Sequence, residues 1–339
     1  MGGFSHHAGD EHDINTKQGG AAMASWLQGK TVILTGATGG IGREMTRILI
    51  QKYGCLVIGI GRDQTKAQAL CSELGENADR FVPCFFDVSD RAQWYRFADR
   101  LERQKHMPDL LVNNAGVLPH FRRFAADRST CSEPGCRAAD GSPFDSDVTL
   151  IASDQRDRAL AESIPVSSAG PMEDALRAMR VNYLAPLYAA EALLPLLLRS
   201  SAPGIVNVSS SAALVSLPGT AGYSASKAAL KSFTEALAQE YRGRMYVGLF
   251  CPGFTRTDIF REQRHASQNR LISLVSSDPV RMANRMVRAI GRRRRKGVFG
   301  SDAKAMNWLY RAFGVHSLDW FRFAMQHSRM ELFDDIFCD

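Results

Sequence analysis

The sequence has few cysteines, and they follow no disulfide pattern. Its seven cysteines are an odd number, and most of them lie inside apolar runs of the 339-residue chain. This usage is typical of a reduced, intracellular protein and excludes a small disulfide scaffold. Cys131 and Cys136 form a close pair in a polar segment, but no histidine or second cysteine pair stands beside them. Two loop thiols are therefore favoured over a zinc site, and no metal is expected.

The sequence also lacks an apolar run that would span a membrane or direct secretion. The longest apolar stretch, residues 181–198, is interrupted by two prolines, an asparagine and a glutamate, which favours a buried core helix. The first 25 residues are polar and contain no apolar core. His6 stands where a myristoylation signal requires serine or threonine. We therefore expect a cytoplasmic protein.

The composition shows no strong bias in charge or hydrophobicity. Hydrophobic residues make up 45% and charged residues 23%, with a net charge of +7, which excludes a disordered or collagen-like chain. Much of the charge surplus lies in the basic run Arg292–Lys296. We interpret this run as a solvated loop. The alternatives are contact with an anionic membrane, helped by the aromatic C-terminal segment, and nucleic-acid binding, which is disfavoured.

Apolar runs alternate with helical patterns along the chain. Short runs that are apolar on both faces predict strands, and the segments between them show helical spacing. This alternation predicts an α/β fold, with a doubly wound parallel sheet of about seven strands and helices on both faces. The predicted strands are 31–35, 55–60, 81–86, 110–112, 204–209, 245–251 and 297–300, and the longer predicted helices are 89–104, 172–199, 221–241 and 278–290.

The remaining segments define the domain organisation. Residues 1–27 are predicted to form a disordered tail, and residues 28–302 a single domain. Residues 121–165 show neither helical nor strand periodicity and are interpreted as an insertion. The insertion forms part of a substrate lid or modifies oligomer assembly; the alternative is a dispensable loop. Residues 303–339 carry aromatic and leucine residues at helical intervals. We expect this extension to pack on the domain, with a partner subunit or lipid as alternatives.

A glycine-rich motif follows the first predicted strand and opens a helix. It reads Thr35-Gly36-Ala37-Thr38-Gly39-Gly40-Ile41-Gly42. Glycines let the backbone turn tightly and approach a pyrophosphate, and the helix N-terminus offers free N–H groups and a positive dipole end. The glycine spacing differs from the commoner Gly-x-Gly-x-x-Gly, but the strand–turn–helix context is the same. The motif therefore predicts a nucleotide-binding site.

A second motif places a tyrosine and a lysine four residues apart on a predicted helix. Tyr223 and Lys227 lie on one face of that helix. A phenol has a pKa near 10 and is a poor acid or base at neutral pH, whereas a neighbouring ammonium group stabilises the phenolate and lowers its pKa. The pair is a candidate acid/base. Taken alone, the same spacing is more often found in two surface residues.

Together these motifs resemble the classical short-chain dehydrogenase/reductase (SDR) family over about residues 29–120 and 168–302. Further matches are Asn113–Gly116 after the fourth strand and Asn207–Ser210 at the end of the fifth, with Tyr223 13 residues after Ser210. The resemblance implies a Rossmann-type fold. It also implies a dinucleotide site formed by Gly36, Thr38, Gly39, Gly40, Ile41, Gly42, Arg62, Asp87, Val88, Asn114, Ala115, Gly116, Tyr223, Lys227, Pro252, Gly253, Thr255 and Thr257.

The resemblance further implies a mechanism. Tyr223 would protonate a carbonyl oxygen as hydride arrives at the carbonyl carbon, and Ser210 would stabilise the charge that develops on that oxygen. Lys227 would lower the pKa of Tyr223 and bind the nicotinamide ribose, and Asn182 would hold a water that links Lys227 to solvent. Ser209 and Ser211 are alternatives to Ser210. A helix N-cap is the alternative role for Asn182.

The end of the second predicted strand bears on the choice of cofactor. Gly61 stands where an acidic residue would select NAD(H), and Arg62 follows it. Since arginine binds a 2′-phosphate well, the sequence favours NADP(H) over NAD(H). The preference reverses if Asp63, rather than Arg62, faces the ribose.

The expected substrate pocket is apolar. Leu118, Ala212, Ala213, Leu217 and Phe254 would border it together with residues 255–275, and this lining suggests a lipophilic alcohol or ketone. We expect an NADP(H)-dependent oxidoreductase, working as a homodimer or homotetramer. The alternative is a catalytically silent NADP(H)-binding regulatory protein of the same fold.

Overall fold

The fold is a single parallel sheet whose strands are covered by helices. The computed structural model describes residues 25–124, 170–256, 276–328 and 334–337. In that part of the chain the sheet has seven strands in the order β3-β2-β1-β4-β5-β6-β7, and every neighbouring pair is parallel. The prediction of a doubly wound α/β fold is confirmed. The strands are β1 Thr31–Thr35, β2 Leu56–Gly61, β3 Phe81–Phe85, β4 Leu110–Asn113, β5 Gly204–Val208, β6 Tyr246–Pro252 and β7 Lys296–Phe299.

Helices connect the strands, and several begin at aspartate N-caps. The carboxylates of Asp63, Asp90 and Asp278 accept hydrogen bonds from backbone N–H groups in the first turn of the helices that they precede, which stabilises those helix ends. The helices are α1 Gly40–Tyr53, α2 Gln64–Leu74, α3 Arg91–Arg103, α4 Pro171–Met179, α5 Ala185–Leu197, α6 Ala221–Glu240, α7 Pro279–Gly291, α8 Ser301–Phe313, α9 His316–His327 and α10 Asp334–Phe337.

The predicted helix 172–199 contains one irregular turn. It consists of α4 and α5 joined by a π-helical turn at Arg180–Leu184. A π turn inserts an extra residue into the helix and moves the following side chains around its axis, and such turns are frequent at functional sites. Asn182 lies in this turn and is buried. The irregular turn therefore coincides with the residue that the family resemblance identifies as catalytic.

The two faces of the sheet bury separate hydrophobic clusters. On one face Leu34 and Val206 pack with Met45 of α1 and Met286 of α7. On the other face Ile33 packs with Trp94 of α3 and with residues of α5, Leu193 among them. Consecutive strand residues therefore point to opposite cores, and this explains why every strand of the interior reads as a continuous apolar run.

The chain reverses direction along the sheet between β1 and β4. It proceeds outward from β1 to β3, and then returns to the other side of β1 as β4. Ligands in open α/β sheets bind outside the carboxyl ends of the strands at such a reversal. The glycine-rich motif at the end of β1 and Asn113–Gly116 at the end of β4 both lie there.

At the N-terminal end of the domain, the structure departs from the sequence prediction. Residues 25–27, assigned to the tail, form a 3-10 turn in which Leu27 is fully buried. In the C-terminal extension, Ala303, Met325 and Ile336 are buried, as expected of helices that pack on the domain. The outward residues of α8 and α9 are nevertheless large and exposed, among them Trp308 and Phe323.

The basic run 292–296 connects α7 to β7. Arg293 has a positive φ of 49° and its guanidinium lies 5.8 Å from the ring centroid of Trp26. Lys296 forms an ion pair of 3.2 Å with Glu235 on α6. The run precedes β7, whereas α8 follows that strand. The basic run therefore lies at the N-terminal end of β7, and the aromatic extension begins after its C-terminal end.

The described residues include four free thiols, Cys55, Cys71, Cys84 and Cys251; Cys131 and Cys136 lie outside those residues. In the same part of the chain, no cluster of three or more potential ligands suits a metal ion. No helix described there is long and apolar enough to cross a membrane.

Candidate active site

A cavity of about 540 Å³ opens at the carboxyl ends of the strands, a volume typical of small-molecule sites. It extends from the glycine-rich loop to an apolar end formed by Leu118, Leu217 and Phe254. Thr257 and residues 257–275, which the sequence assigned to this site, lie outside the described residues. The other expected residues that line the cavity are Gly36, Thr38, Gly39, Gly40, Ile41, Arg62, Asp87, Val88, Asn114, Ala115, Gly116, Ser210, Ala212, Tyr223, Lys227, Pro252, Gly253 and Thr255.

The glycine-rich loop leaves room that side chains would fill. Gly36 has a φ of +66°, a conformation that favours glycine. A Cβ on Gly42 would lie 2.1 Å from the carbonyl oxygen of Gly36, so Gly42 packs behind the loop. Gly39 precedes α1 and provides no side-chain cap. The first N–H groups of α1 therefore remain available to an anion.

Asn114 holds the loop against β4. Its side-chain amide donates to the carbonyl of Thr35 at 3.0 Å. The Thr35 hydroxyl oxygen in turn accepts from the backbone N–H groups of Asn114 and Ala115, both at 2.9 Å. These bonds connect the ends of β1 and β4 and fix the floor of the cavity.

The end of β2 separates the roles of Arg62 and Asp63. The Asp63 carboxylate accepts from the backbone N–H of Lys66 at 3.0 Å and caps α2. The Arg62 side chain is 74% exposed, and its guanidinium lies 3.9 Å from the carboxylate of Asp87 at the cavity rim. Both residues line the cavity, but the Asp63 carboxylate is engaged with the first turn of α2, whereas the Arg62 guanidinium is exposed at the rim.

The Ser210 hydroxyl lies close enough to the phenol of Tyr223 to lower its pKa by hydrogen bonding. Ser210 follows β5 and also accepts from the backbone N–H of Ala212 at 3.1 Å. The hydroxyl of Ser209 is turned away and donates to the carbonyl of Lys227 at 2.9 Å. Among the three consecutive serines, Ser210 is the one whose hydroxyl affects the pKa of the phenol, in agreement with the 13-residue spacing.

Lys227 is buried beneath Tyr223. Its ammonium donates to the carbonyl of Val208 at 3.1 Å, and a Cβ on Gly116 would lie 3.2 Å from its Nζ. Burial lowers the pKa of Lys227 to about 8, because the charged form loses hydration.

The pKa of Tyr223 moves in the direction opposite to the sequence expectation. Burial raises it, and the hydrogen bond from Ser210 lowers it in part. The expected lowering by Lys227 is not seen in the chain alone, since the ammonium is directed at the Val208 carbonyl. At neutral pH the pair therefore consists of a neutral phenol and a predominantly protonated amine.

Asn182 is a fully buried positioning residue. Its Oδ1 accepts from the backbone N–H of Val117 at 2.8 Å, and its Nδ2 donates to the Val117 carbonyl at 2.9 Å and to Ser226 Oγ at 3.0 Å. The Ser226 hydroxyl donates to the carbonyl of Tyr223 at 2.7 Å. Asn182 thus joins the loop after β4 to the helix that carries Tyr223. The N-cap alternative is wrong, because Asn182 lies inside the π turn.

Three residues of the apolar end were not assigned from the sequence. Phe121 and Met306 line the cavity. Ile336 of α10 lies behind that lining, in a cluster with Leu118, Phe121 and Met325. The Arg123 guanidinium donates to the carbonyl of Ile336 at 2.5 Å. Helical periodicity indicated an apolar extension, but no local signal connects residue 336 with residue 121.

The carboxylate of Asp302 anchors the loop after β6. It accepts from the backbone N–H of Phe254 at 2.7 Å, and a Cβ on Gly253 would lie 2.2 Å from its Oδ2. Burial raises the pKa of Asp302, while backbone hydrogen bonds lower it in part. The first turn of α8 therefore fixes the loop that borders the cavity opposite Tyr223.

Known proteins resemble this chain in sequence and in structure. A zebrafish (Danio rerio) protein, dehydrogenase/reductase SDR family member 7B, is 27% identical over 241 residues, covering 69% of this chain and 63% of the relative. The chain thus matches less than two thirds of that protein's length. The 3-oxoacyl-[acyl-carrier-protein] reductase FabG of Haemophilus influenzae is 25% identical over 234 residues, covering 69% of this chain and 77% of the relative.

A solved short chain dehydrogenase from Burkholderia cenocepacia, in complex with NADP, superposes with a TM-score of 0.60 at 23% identity. It covers 87% of this chain and 97% of that structure, which supports the fold. The sequence model described as short chain dehydrogenase matches residues 30–132 and 162–268. Because the model matches more than half of the chain, this protein belongs to the short chain dehydrogenase family.

Proposed function

We propose that the protein is an NADP(H)-dependent oxidoreductase that transfers hydride between the nicotinamide ring and a carbonyl or alcohol carbon. One observation carries this proposal: Ser210 and Tyr223 line the same cavity as the glycine-rich loop, and Ser210 lies close enough to the phenol to lower its pKa. A purely nucleotide-binding protein requires the loop but has no need of a partly buried phenol beside it. The silent regulatory protein remains the alternative.

The cavity fits a dinucleotide. The uncapped N-terminus of α1 suits a pyrophosphate, and the close packing of Gly42 against Gly36 keeps that approach open. Asp87 and Val88 would border the adenine, and Pro252 and Gly253 the nicotinamide side. The bound cofactor would supply or accept the hydride.

The side chains of this chain would handle the proton. Tyr223, neutral at pH 7, would donate its hydroxyl proton to the carbonyl oxygen during reduction and take it back in oxidation. Ser210 would donate a hydrogen bond to the same oxygen as negative charge develops on it. The ammonium of Lys227 would stabilise the resulting phenolate and hold the nicotinamide ribose.

NADP(H) is favoured over NAD(H) because the Asp63 carboxylate is bonded to the N–H of Lys66, whereas the Arg62 guanidinium is exposed at the cavity rim. A carboxylate facing the ribose would repel a 2′-phosphate, whereas a guanidinium binds it. The Burkholderia neighbour was solved with NADP, which is consistent with this choice.

A lipophilic carbonyl compound is the substrate class that the site supports best. Leu118, Phe121, Leu217, Phe254 and Met306 form the end of the cavity beyond Tyr223. Such a lining favours an apolar ligand body with one polar reacting group. A homodimer or homotetramer remains part of the proposal, and sedimentation velocity would measure it.

The test is turnover of NADPH with a panel of lipophilic ketones and aldehydes, followed by absorbance. Tyr223→Phe removes one hydroxyl and should lower kcat by about 10²–10⁴-fold, while NADPH binding stays within a few-fold. A matched control is Tyr95→Phe on α3, whose ring is exposed. Tight NADPH binding without turnover of any compound would favour the regulatory alternative.

A further inference from the structure

Helices α8 and α9 of the C-terminal extension, with the turn between them, present large apolar side chains to solvent. Trp308 is 64% exposed, Phe313 45%, Val315 65%, Trp320 49% and Phe323 63%. These five residues, here named the aromatic face, lie within 16 positions of sequence. Scattered apolar residues are normal on a protein surface, but a concentrated patch marks an interaction site.

The aromatic face is continuous across the two helices. The rings of Trp308 and Phe313 are 6.3 Å apart between centroids, and those of Phe313 and Trp320 are 5.0 Å apart. On α9, Trp320 and Phe323 are three residues apart and therefore share one side of the helix. The buried residues Ala303 and Met325 attach the same helices to the domain, so the aromatic face is held in position.

The charges beside the aromatic face are mainly positive. Lys304 and Arg311 flank Trp308 at distances of four and three residues, on the same side of α8. His316 and His327 flank Trp320 and Phe323 on α9 in the same manner. Between residues 301 and 328, the exposed charged residues are Lys304, Arg311 and Arg322 against a single exposed carboxylate, Asp319.

We propose that the aromatic face docks on the surface of an anionic lipid membrane. Tryptophan and phenylalanine insert at the boundary between head groups and acyl chains, and neighbouring lysine and arginine side chains bind anionic head groups. A second copy of this chain fits less well, because a symmetric contact would bring Lys304 and Arg311 close to their equivalents. Since α8 also contributes Met306 to the cavity, docking would place the site beside the lipid. The proposal does not depend on the proposed reaction.

The experiment is co-sedimentation of the full chain with vesicles. The vesicles contain phosphatidylcholine alone or with roughly a third phosphatidylserine, at about 0.1 M and about 1 M salt. We expect binding to the anionic vesicles, a several-fold loss at high salt, and a blue shift of tryptophan emission. Trp308→Asp and Phe323→Asp should each weaken binding at least tenfold. The matched control is Val280→Asp, which adds the same charge at a 44% exposed residue on α7.

Circular dichroism and thermal unfolding of each variant check that it folds. The double variant Lys304→Glu/Arg311→Glu tests the contribution of the positive charges while every apolar residue of the aromatic face is kept. Loss of binding in that double variant with an unchanged thermal midpoint would support the proposal. Absence of binding to anionic vesicles, or equal weakening by Val280→Asp, would overturn it. So would a dimer in sedimentation velocity that dissociates in Trp308→Asp, since that result assigns the aromatic face to a second copy.

Discussion

Replacing Arg62 with alanine is expected to weaken NADPH binding far more than NADH binding. The side chain is 74% exposed, and its pairing with Asp87 at 3.9 Å is a long surface contact, which contributes little to stability. The thermal midpoint should therefore stay constant. A hydrogen bond to a charged group is worth about 1.5–3 kcal/mol, and loss of one such bond to the 2′-phosphate corresponds to about 10- to 150-fold in affinity.

The assay is the dissociation constant of each cofactor from fluorescence titration, followed by KM for each. Arg96→Ala is the matched control, since Arg96 is an exposed arginine on α3 outside the cavity. Asp63→Asn is the companion variant. Asparagine caps a helix as well as aspartate does, so this variant tests the carboxylate charge without removing the cap of α2.

Two results would refute the reasoning. An equal loss of NADPH and NADH affinity in Arg62→Ala would mean that the guanidinium does not distinguish the 2′-phosphate. A preference of the unmodified protein for NADH would mean that Asp63, despite its bond to the Lys66 N–H, faces the ribose.

Three further predictions concern the rest of the site. If reduction requires the Lys227 ammonium, whose pKa is about 8, kcat/KM is high below that pH and falls as pH rises through it; a profile that is flat across pH 8 would contradict this. Gly42→Ala should lower the thermal midpoint, because its Cβ would lie 2.1 Å from the Gly36 carbonyl, whereas Gly39→Ala, whose Cβ meets nothing within 4 Å, should leave it unchanged; equal midpoints would argue against the packing. Ile336→Ala should raise kcat/KM for branched ketones relative to linear ones, since Ile336 supports the apolar end behind Phe121; an unchanged ratio, measured beside an Ile336→Val variant, would separate Ile336 from the substrate wall.

The strands and their parallel arrangement could be predicted because the signal is local. Each interior strand lies between two hydrophobic cores, and so almost every residue in it is apolar. The candidate site could be proposed from the sequence for a related reason. Tyr223 and Lys227 lie one helical turn apart, and the glycine-rich loop lies between adjacent elements, so short spacings in sequence correspond to short distances in space.

Other features depended on geometry that no short pattern encodes. The π turn at Arg180–Leu184 adds one residue to a helix whose apolar pattern continues through it. The pKa of Tyr223 depends on how deeply the ring is buried and on where the Lys227 ammonium points. Helical spacing therefore placed Tyr223 and Lys227 on one face of α6, but the expected lowering of the Tyr223 pKa has the wrong direction for the chain alone.

The role of Asp63 likewise could not be predicted from a short sequence pattern. The sequence left Arg62 and Asp63 as competitors at the end of β2, because it did not show which of the two faces the ribose. The bond from the Lys66 N–H to the Asp63 carboxylate exists only once α2 begins at Gln64. The start of α2 thus determines that the Asp63 carboxylate has a backbone partner, whereas the Arg62 guanidinium stays exposed at the cavity rim.

By itself, the sequence determined the α/β class and the family resemblance, and it proposed Ser210, Tyr223 and Lys227 as the reacting residues. Periodicity and spacing report on contacts within a strand or a helical turn, and these features depend on such contacts. Only the tertiary structure decided that Asn182 connects the loop after β4 to α6, that Ile336 supports the apolar end of the cavity, and that the aromatic face points to solvent. Each of these depends on elements far apart in the chain, which come together when the sheet folds and its helices pack.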